Sequence, residues 1–263
     1  MSIDGVKAEV RNRFGKAAAE YAHSAVHRTG ANLEAMVVAS GIPEAGHPGR
    51  LLDVGTGAGH TAFAFASRVA RVDALDLTEQ MLDEVRRGAL ERSLTNIHCQ
   101  LGDAEALPYP DDCFDYLTSR LCAHHFEDAP AFVAEAARVL KPGGCFLLMD
   151  SLSSEQAASD TFFNAFELLR DPSHVRNYSR SNWLSMLAAE GFAAEVLGEP
   201  ILLHQDFQDW VERIDTPATG VAHLRFLFET ASAALRSEFE IVLGDAGVSA
   251  LSVPCGMIRA YPR

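Results

Sequence analysis

The sequence predicts an α/β fold, in which a mostly parallel sheet is covered on both faces by helices. Short apolar runs alternate with helical stretches between residues 51 and 149. A glycine-rich turn at 55–59 joins the first of these runs to the first helix. The chain has 263 residues, of which 48% are hydrophobic, enough for one domain with a sizeable core.

Each element follows from its own pattern. An Ala-rich helical stretch over 6–40 precedes a linker at 43–50. The core strands are expected at 51–54, 71–75, 96–101, 114–119 and 145–149, and the core helices at 60–69, 78–90 and 130–140. Since strand–helix–strand crossovers are right-handed, these strands should run parallel. Later helices are expected near 156–170, 181–190 and 205–240, later strands near 193–197 and 248–260, and hairpin turns at 198–200 and 244–247.

Composition excludes several kinds of partner. With 22 basic and 36 acidic residues the net charge is −14, and no Lys/Arg run offers a site for nucleic acid or an anionic membrane. No signal peptide is expected, because charged residues interrupt the first stretch, and no apolar run is long enough for a membrane helix. Five scattered cysteines without a CxxC pair favour a reducing cytoplasm, and no ligand spacing suggests a metal. The oligomeric state stays open, with a homodimer among the options.

The glycine turn carries the strongest motif. Gly55, Gly57 and Gly59 are spaced GxGxG, whereas the dinucleotide fingerprint GxGxxG would need a glycine at His60. Asp53, two residues before the first glycine, would repel a pyrophosphate and attract a cationic ligand with an amino group. Asp53 could also simply anchor the turn.

Asp76 ends the second predicted strand, 17 residues after Gly59. A carboxylate at this position suits the two hydroxyls of a ribose. The alternative is that Asp76 only caps the helix that begins near Thr78.

Taken together, five motifs resemble those of class I S-adenosylmethionine-dependent methyltransferases, in the small-molecule branch typified by ubiquinone and menaquinone biosynthesis. They are DVGTGAG at 53–59, ALDLT at 74–78, GDAEALP at 102–108, DCFD at 112–115 and RVLKPGG at 138–144. The resemblance implies a Rossmann-like, doubly wound sheet of seven mostly parallel strands with an antiparallel last strand. It also implies S-adenosylmethionine as cofactor, contacted by Asp53, Gly55, Thr56, Gly57, Gly59, Asp76, Leu77, Met81, Asp103, Ala104, Arg120 and Tyr21.

The resemblance extends beyond the core motifs. Phe14, Ala18, Tyr21 and His27 resemble a helical lid over the cofactor, which implies a lid at 1–45 and a catalytic domain at 46–263 with substrate-covering insertions at about 153–180 and 203–245. The segments RLCAHHF at 120–126 and DPSH at 171–174 resemble a bacterial subgroup of uncharacterised members.

Candidates for acceptor chemistry lie beyond the strand ends, where open α/β sheets bind ligands. His125 is the preferred general base and His174 the second choice, because a neutral imidazole can take a proton from an oxygen or carbon acceptor. His124 and Asp150 also follow strand ends. The substrate wall is expected to include His27, Phe163 and Trp210, although aromatic residues at helical spacing are also typical of a core. The substrate is expected to be small and mainly apolar, with an O, C or N acceptor unresolved.

Three rival functions share parts of this pattern. An NAD-type oxidoreductase would share the fold and the ribose acid, but it requires the GxGxxG spacing that is missing here. A non-catalytic protein could keep the cofactor fold without transferring a methyl group. An aminopropyl transferase would need an acidic polyamine site, for which no motif is visible.

Overall fold

A computed structural model of the chain describes residues 3–23, 31–44, 46–245 and 247–263. The helices in these ranges are α1 (Ile3–His23), α2 (Ala31–Ala39), α3 (His60–Ala66), α4 (Glu79–Glu91), α5 (Ala129–Val139), α6 (Ala157–Arg170), α7 (Arg180–Ala189), α8 (Phe207–Glu212), α9 (Ala218–Thr230) and α10 (Ala233–Glu238). The strands are β1 (His47–Val54), β2 (Val69–Asp76), β3 (Ile97–Leu101), β4 (Phe114–Arg120), β5 (Leu140–Ser151), β6 (Phe192–Asp206), β7 (Val242–Gly244) and β8 (Gly247–Pro262). A short 3₁₀ turn spans Ala123–His125.

The strands form one sheet with the order β3-β2-β1-β4-β5-β8-β6. Strands β1 to β5 pair in parallel, and β8 runs antiparallel to both β5 and β6. The prediction of a seven-stranded, mostly parallel sheet with an antiparallel last strand is therefore confirmed along this path. In the described part of the chain the short strand β7 is added as a hairpin partner of β8.

Three sequence-based boundaries were wrong for reasons that strand pairing explains. Strand β1 begins at His47, inside the predicted linker, because His47 pairs with Val69 of β2. Strand β5 already begins at Leu140, and the Pro-Gly-Gly segment forms an irregularity within it. The predicted hairpin turn at 198–200 is an irregularity inside the long strand β6, since both of its flanks pair with β8. A turn motif in the sequence therefore does not distinguish a chain reversal from a bulge.

The chain buries two apolar regions that matter for the site. One lies between the sheet and helices α5 and α7, around Phe132 and Trp183. The other joins α6, α8 and α9 to β8, and its centre is Phe163, Phe166 and Phe228. This second region holds the late helices of the chain against the part of the sheet that lies beyond β5. No helix of the described ranges is both long and apolar enough to cross a membrane.

Candidate active site

The glycine turn after β1 requires left-handed backbone at each glycine. The φ angles of Gly55, Gly57 and Gly59 are +66°, +52° and +87°. A side-chain carbon on Gly55 would collide with Cys122 Sγ, whereas one on Gly57 would meet no atom within 4 Å. Gly57 is therefore the point where the backbone faces open space that a ligand can approach closely.

Asp76 at the end of β2 holds this turn against the start of α4. Its Oδ2 accepts the N–H of Gly57 at 2.8 Å, and its Oδ1 accepts the N–H of Thr78 at 2.9 Å. Burial raises the pKa of Asp76 to about 6, although these hydrogen bonds oppose the shift. The carboxylate caps a helix and also lines a cavity. Each carboxylate oxygen has a further lone pair, so the two predicted roles are compatible.

A first cavity with an empty volume of about 980 Å³ lies above the turn. Helix α1 closes one side of it with Lys7, Val10 and Phe14. The predicted cofactor residues that line it are Gly55, Thr56, Gly57, Asp76, Leu77, Met81, Asp103, Ala104 and Arg120. Gly59 and Asp53 are not among its lining residues. The side chain of Tyr21 and all of His27 lie outside the described residues.

Asp53 lies beneath the turn, 1% exposed. Its Oδ2 accepts the hydroxyl of Thr56 at 2.7 Å, and its Oδ1 accepts that of Thr118 at 2.8 Å. Thr118 faces Asp53 because the two residues are register partners on β1 and β4. Burial raises the pKa of Asp53 to about 6, although both hydrogen bonds act against it. In this geometry Asp53 anchors the turn, which was the alternative role that the sequence left open.

Two charged side chains that line the first cavity, Lys7 and Arg120, link it to helices α1 and α2. Lys7 Nζ of α1 lies 2.6 Å from Asp103 and 2.7 Å from Glu105. The buried Arg120 donates to Thr61 Oγ1 at 3.0 Å and to Asn32 Oδ1 of α2 at 3.2 Å. The Lys7 contact was not predictable from sequence, because its partners lie about a hundred positions away along the chain.

A second cavity, with an empty volume of about 610 Å³, adjoins the first and shares Phe14, Leu121 and His125 with it. Its wall is mostly polar. It consists of Phe14, Leu121, His124, His125, Ser151, Glu167, Arg170, Asp171, Leu203, Gln205, Trp210, Arg213 and Val253. Leu121 has a φ of +55°, which is uncommon for a residue with a side chain and often marks a functional turn. The chain turns there from β4 toward the two histidines.

His124 and Asp150 form a hydrogen-bonded pair at this second cavity. Nδ1 of His124 lies 2.6 Å from Asp150 Oδ1, and the His124 N–H donates to Oδ2 at 3.0 Å. The two residues meet because β4 and β5 are parallel neighbours, with Arg120 opposite Met149. Although burial alone would lower it, the charge and hydrogen bond of Asp150 raise the pKa of His124. Sequence reasoning noted both residues but did not pair them.

His125 lies at the junction of the two cavities. Its Nδ1 is 3.1 Å from the carbonyl oxygen of Ser173, which can only accept, so Nδ1 carries the hydrogen. Nε2 then has a free lone pair, 3.9 Å from Asp171 Oδ2. Burial, and next the charge of His124, lower the pKa of His125 to about 4. His125 is therefore neutral near pH 7, and its role as a base stays a prediction.

The remaining candidate residues differ in whether they line a cavity. His174 is buried next to His124, lines neither cavity, and has a pKa lowered by burial to about 2. Phe163 lies in the second apolar region and lines neither cavity, whereas Trp210 reaches the second cavity from α8. The loop that carries His174 is tied to the 3₁₀ turn, because the His124 carbonyl accepts the N–H groups of Val175 and Arg176. The two segments that resembled a bacterial subgroup are thus neighbours in space.

Comparison with known proteins gives a consistent family. Residues 52–148 match a methyltransferase domain family. The chain is 38% identical over 234 residues to an uncharacterised methyltransferase, YcgJ, of Bacillus subtilis, covering 89% of this chain and 91% of that protein.

Solved structures agree with this relationship. The crystal structure of YcgJ superposes with a TM-score of 0.84 at 36% identity, covering 88% of this chain and 97% of that one. A putative methyltransferase from Bacillus halodurans gives a TM-score of 0.82 at 34% identity, over 89% and 100% of the two chains. The chain therefore belongs to the class I methyltransferase family.

Proposed function

We propose that this protein transfers a methyl group from S-adenosylmethionine to a small molecule. The observation that carries the proposal is the first cavity, in which the open backbone at Gly57 lies beside the carboxylate of Asp76. An acid next to an open glycine turn, in a methyltransferase fold, suits a ligand with a ribose and a positive charge.

The residues of the first cavity fit this cofactor from end to end. Asp76 offers acceptors to the ribose hydroxyls, Leu77, Met81 and Ala104 offer an apolar slot for the adenine, and Asp103 offers an acceptor to its amino group. Arg120 also lines the cavity, where its guanidinium would attract the carboxylate of the methionine part. The bound cofactor supplies a methyl group on a positively charged sulfur.

The second cavity supports a site for the methyl acceptor, because it adjoins the first and shares Phe14, Leu121 and His125 with it. Two separate but touching compartments allow the chain to align two ligands and keep water from the transfer. The polar wall implies that the reacting end of the acceptor is polar, while a mainly apolar remainder stays a prediction.

All five cysteines are free, which fits a reducing cytoplasm.

A labelling experiment tests the proposal. The protein is incubated with S-adenosylmethionine that carries an isotopic methyl label and with an extract of small metabolites, and labelled products are sought by mass spectrometry. The matched control is Gly57→Ala, which would place a methyl group in the open space above the turn. We expect a labelled product with the wild-type protein and much less with the variant. Binding of S-adenosylhomocysteine without any labelled product would favour the non-catalytic alternative.

A further inference from the structure

Three neighbouring imidazoles lie at the second cavity: His124 and His125 line it, and His174 is buried beside His124. The ring centroids of His124 and His125 are 4.3 Å apart, and those of His124 and His174 are 5.8 Å apart. Asp150 is 1% exposed and accepts three N–H groups, namely the ring and backbone N–H of His124 and the backbone N–H of Ser151. An ionised carboxylate can accept all three, because each of its oxygens has two lone pairs.

The contact with Asp150 determines which ring nitrogen of His124 carries a hydrogen. Because an ionised carboxylate only accepts, Nδ1 of His124 carries a hydrogen. The opposite nitrogen, Nε2, has no hydrogen bond to any described residue, and the side chain lines the second cavity. An imidazole held by a buried carboxylate at one nitrogen and open toward a ligand at the other is the arrangement of a general base.

The charged groups around the three imidazoles favour a proton on His124 over one on His125 or His174. The groups that face it are Asp150 on β5, Glu167 on α6, Asp171 after α6, and the rings of His125 and His174. The three carboxylates favour a charge on His124, while burial and the neighbouring His124 hold the pKa of His125 at about 4 and that of His174 at about 2. Of the three rings, His124 is therefore the one whose pKa lies above that of an ordinary histidine.

We propose that the His124–Asp150 pair removes a proton from the methyl acceptor, and that the acceptor is consequently a weak acid that reacts through an O–H or C–H group. The inference rests on the proposed function of the two cavities. It goes beyond that function by naming the base and by narrowing the class of substrate, because a neutral amine reacts through its own lone pair and needs no base.

The step balances without a further reactant. Neutral Nε2 of His124 takes the proton from the O–H or C–H group, and the electron pair left behind forms the new bond to the methyl carbon. The bond between that carbon and sulfur breaks, and sulfur keeps its electron pair. The imidazolium, held by Asp150, then releases the proton to solvent. His125, neutral and located at the junction, can accept a hydrogen bond but takes no proton in this step.

The test combines a titration with a transfer assay. Imidazole nitrogen NMR of the wild-type complex with S-adenosylhomocysteine is followed against pH, and His124 is assigned by its loss in His124→Gln. We expect a hydrogen on Nδ1 and a pKa above that of an ordinary histidine. A hydrogen on Nε2, or a His124 that stays neutral down to about pH 5, would overturn the proposal; ordinary histidines titrate near 6.5.

The transfer assay uses the labelled cofactor and metabolite extract described above. Transfer by the wild type should rise with pH as His124 loses its proton. In His124→Gln it should fall at least about a hundredfold and lose this pH dependence, with S-adenosylhomocysteine affinity unchanged. Asp150→Asn should shift the pH dependence downward. His98→Gln, at an exposed histidine on β3, is the control and should match the wild type.

The outcomes separate this inference from the function it rests on. Wild-type transfer that persists unchanged in His124→Gln overturns the base alone, and a product methylated on an amine nitrogen overturns the acceptor class alone. A wild-type protein that binds S-adenosylhomocysteine but labels nothing at any pH contradicts the transferase function itself.

Discussion

The charge of Asp76 should make cofactor affinity depend on pH. Its carboxylate lines the cavity that we assign to the ribose, and burial raises its pKa to about 6. If only the ionised form binds the ribose hydroxyls well, then about a tenth of the protein is competent at pH 5. The affinity for S-adenosylhomocysteine should therefore fall about tenfold, or about 1.4 kcal/mol, between pH 8 and pH 5.

Asp76→Asn removes the charge and keeps the shape. At pH 8 the loss of charge-assisted hydrogen bonds to two hydroxyls should cost about 2–3 kcal/mol of binding. The part of the pH dependence that comes from Asp76 should also disappear, so any slope that remains in the variant belongs to other groups, such as Asp53 or the ligand. Because Asp76 also accepts the N–H groups of Gly57 and Thr78, the variant's stability must be measured as well.

Isothermal titration calorimetry over this pH range provides the assay. A wild-type affinity that is flat from pH 8 to pH 5, or a folded Asp76→Asn that binds as tightly as the wild type, would refute the role of Asp76.

Three further predictions address the turn and its cover. Because the pKa of Asp53 is raised, the folded state binds its proton more tightly than the unfolded state, and stability falls as pH rises from about 4 to 6. In urea unfolding, the free energy of unfolding of the wild type should fall by about 1.4 kcal/mol relative to Asp53→Asn between about pH 5 and 7.5. A difference between the two proteins that does not change with pH would contradict this. Gly57→Ala and Gly143→Ala introduce similar left-handed strain, about 1–2 kcal/mol each, but only the former should weaken S-adenosylhomocysteine binding; equal binding losses would argue against the cavity assignment. Lys7→Ala should speed S-adenosylhomocysteine dissociation several-fold in stopped flow, whereas the control Lys16→Ala, at an exposed lysine of the same helix, should not. Identical rates would show that the contacts of Lys7 with Asp103 and Glu105 do not hold α1 against the cavity.

The fold was predictable because its signals are local. The alternation of apolar runs and helices, the glycine turn and the acid after β2 each lie within a few residues, and the structure has them in the expected order. The boundaries that failed depend on pairing. Gly198 to Pro200 resemble a turn in sequence, and only the partner strand β8 makes them an irregularity within β6.

The site was only partly predictable for the same reason. Residues that line the first cavity follow strand ends, which the motifs mark directly. The His124–Asp150 pair depends on β4 and β5 being neighbours, and Lys7 depends on where α1 packs. The aromatic spacing of Phe163 fits a pocket wall and a core equally well, and the packing of α9 and α10 against α6 places it in the core.

Direct calorimetry with three ligands tests the central claim most simply. S-adenosylmethionine, S-adenosylhomocysteine and NAD are titrated separately into the purified protein at the same pH and salt concentration. The geometry of the first cavity predicts that both sulfur compounds bind at one site per chain and that NAD does not. Tight binding of NAD, with no heat from either sulfur compound, would contradict it.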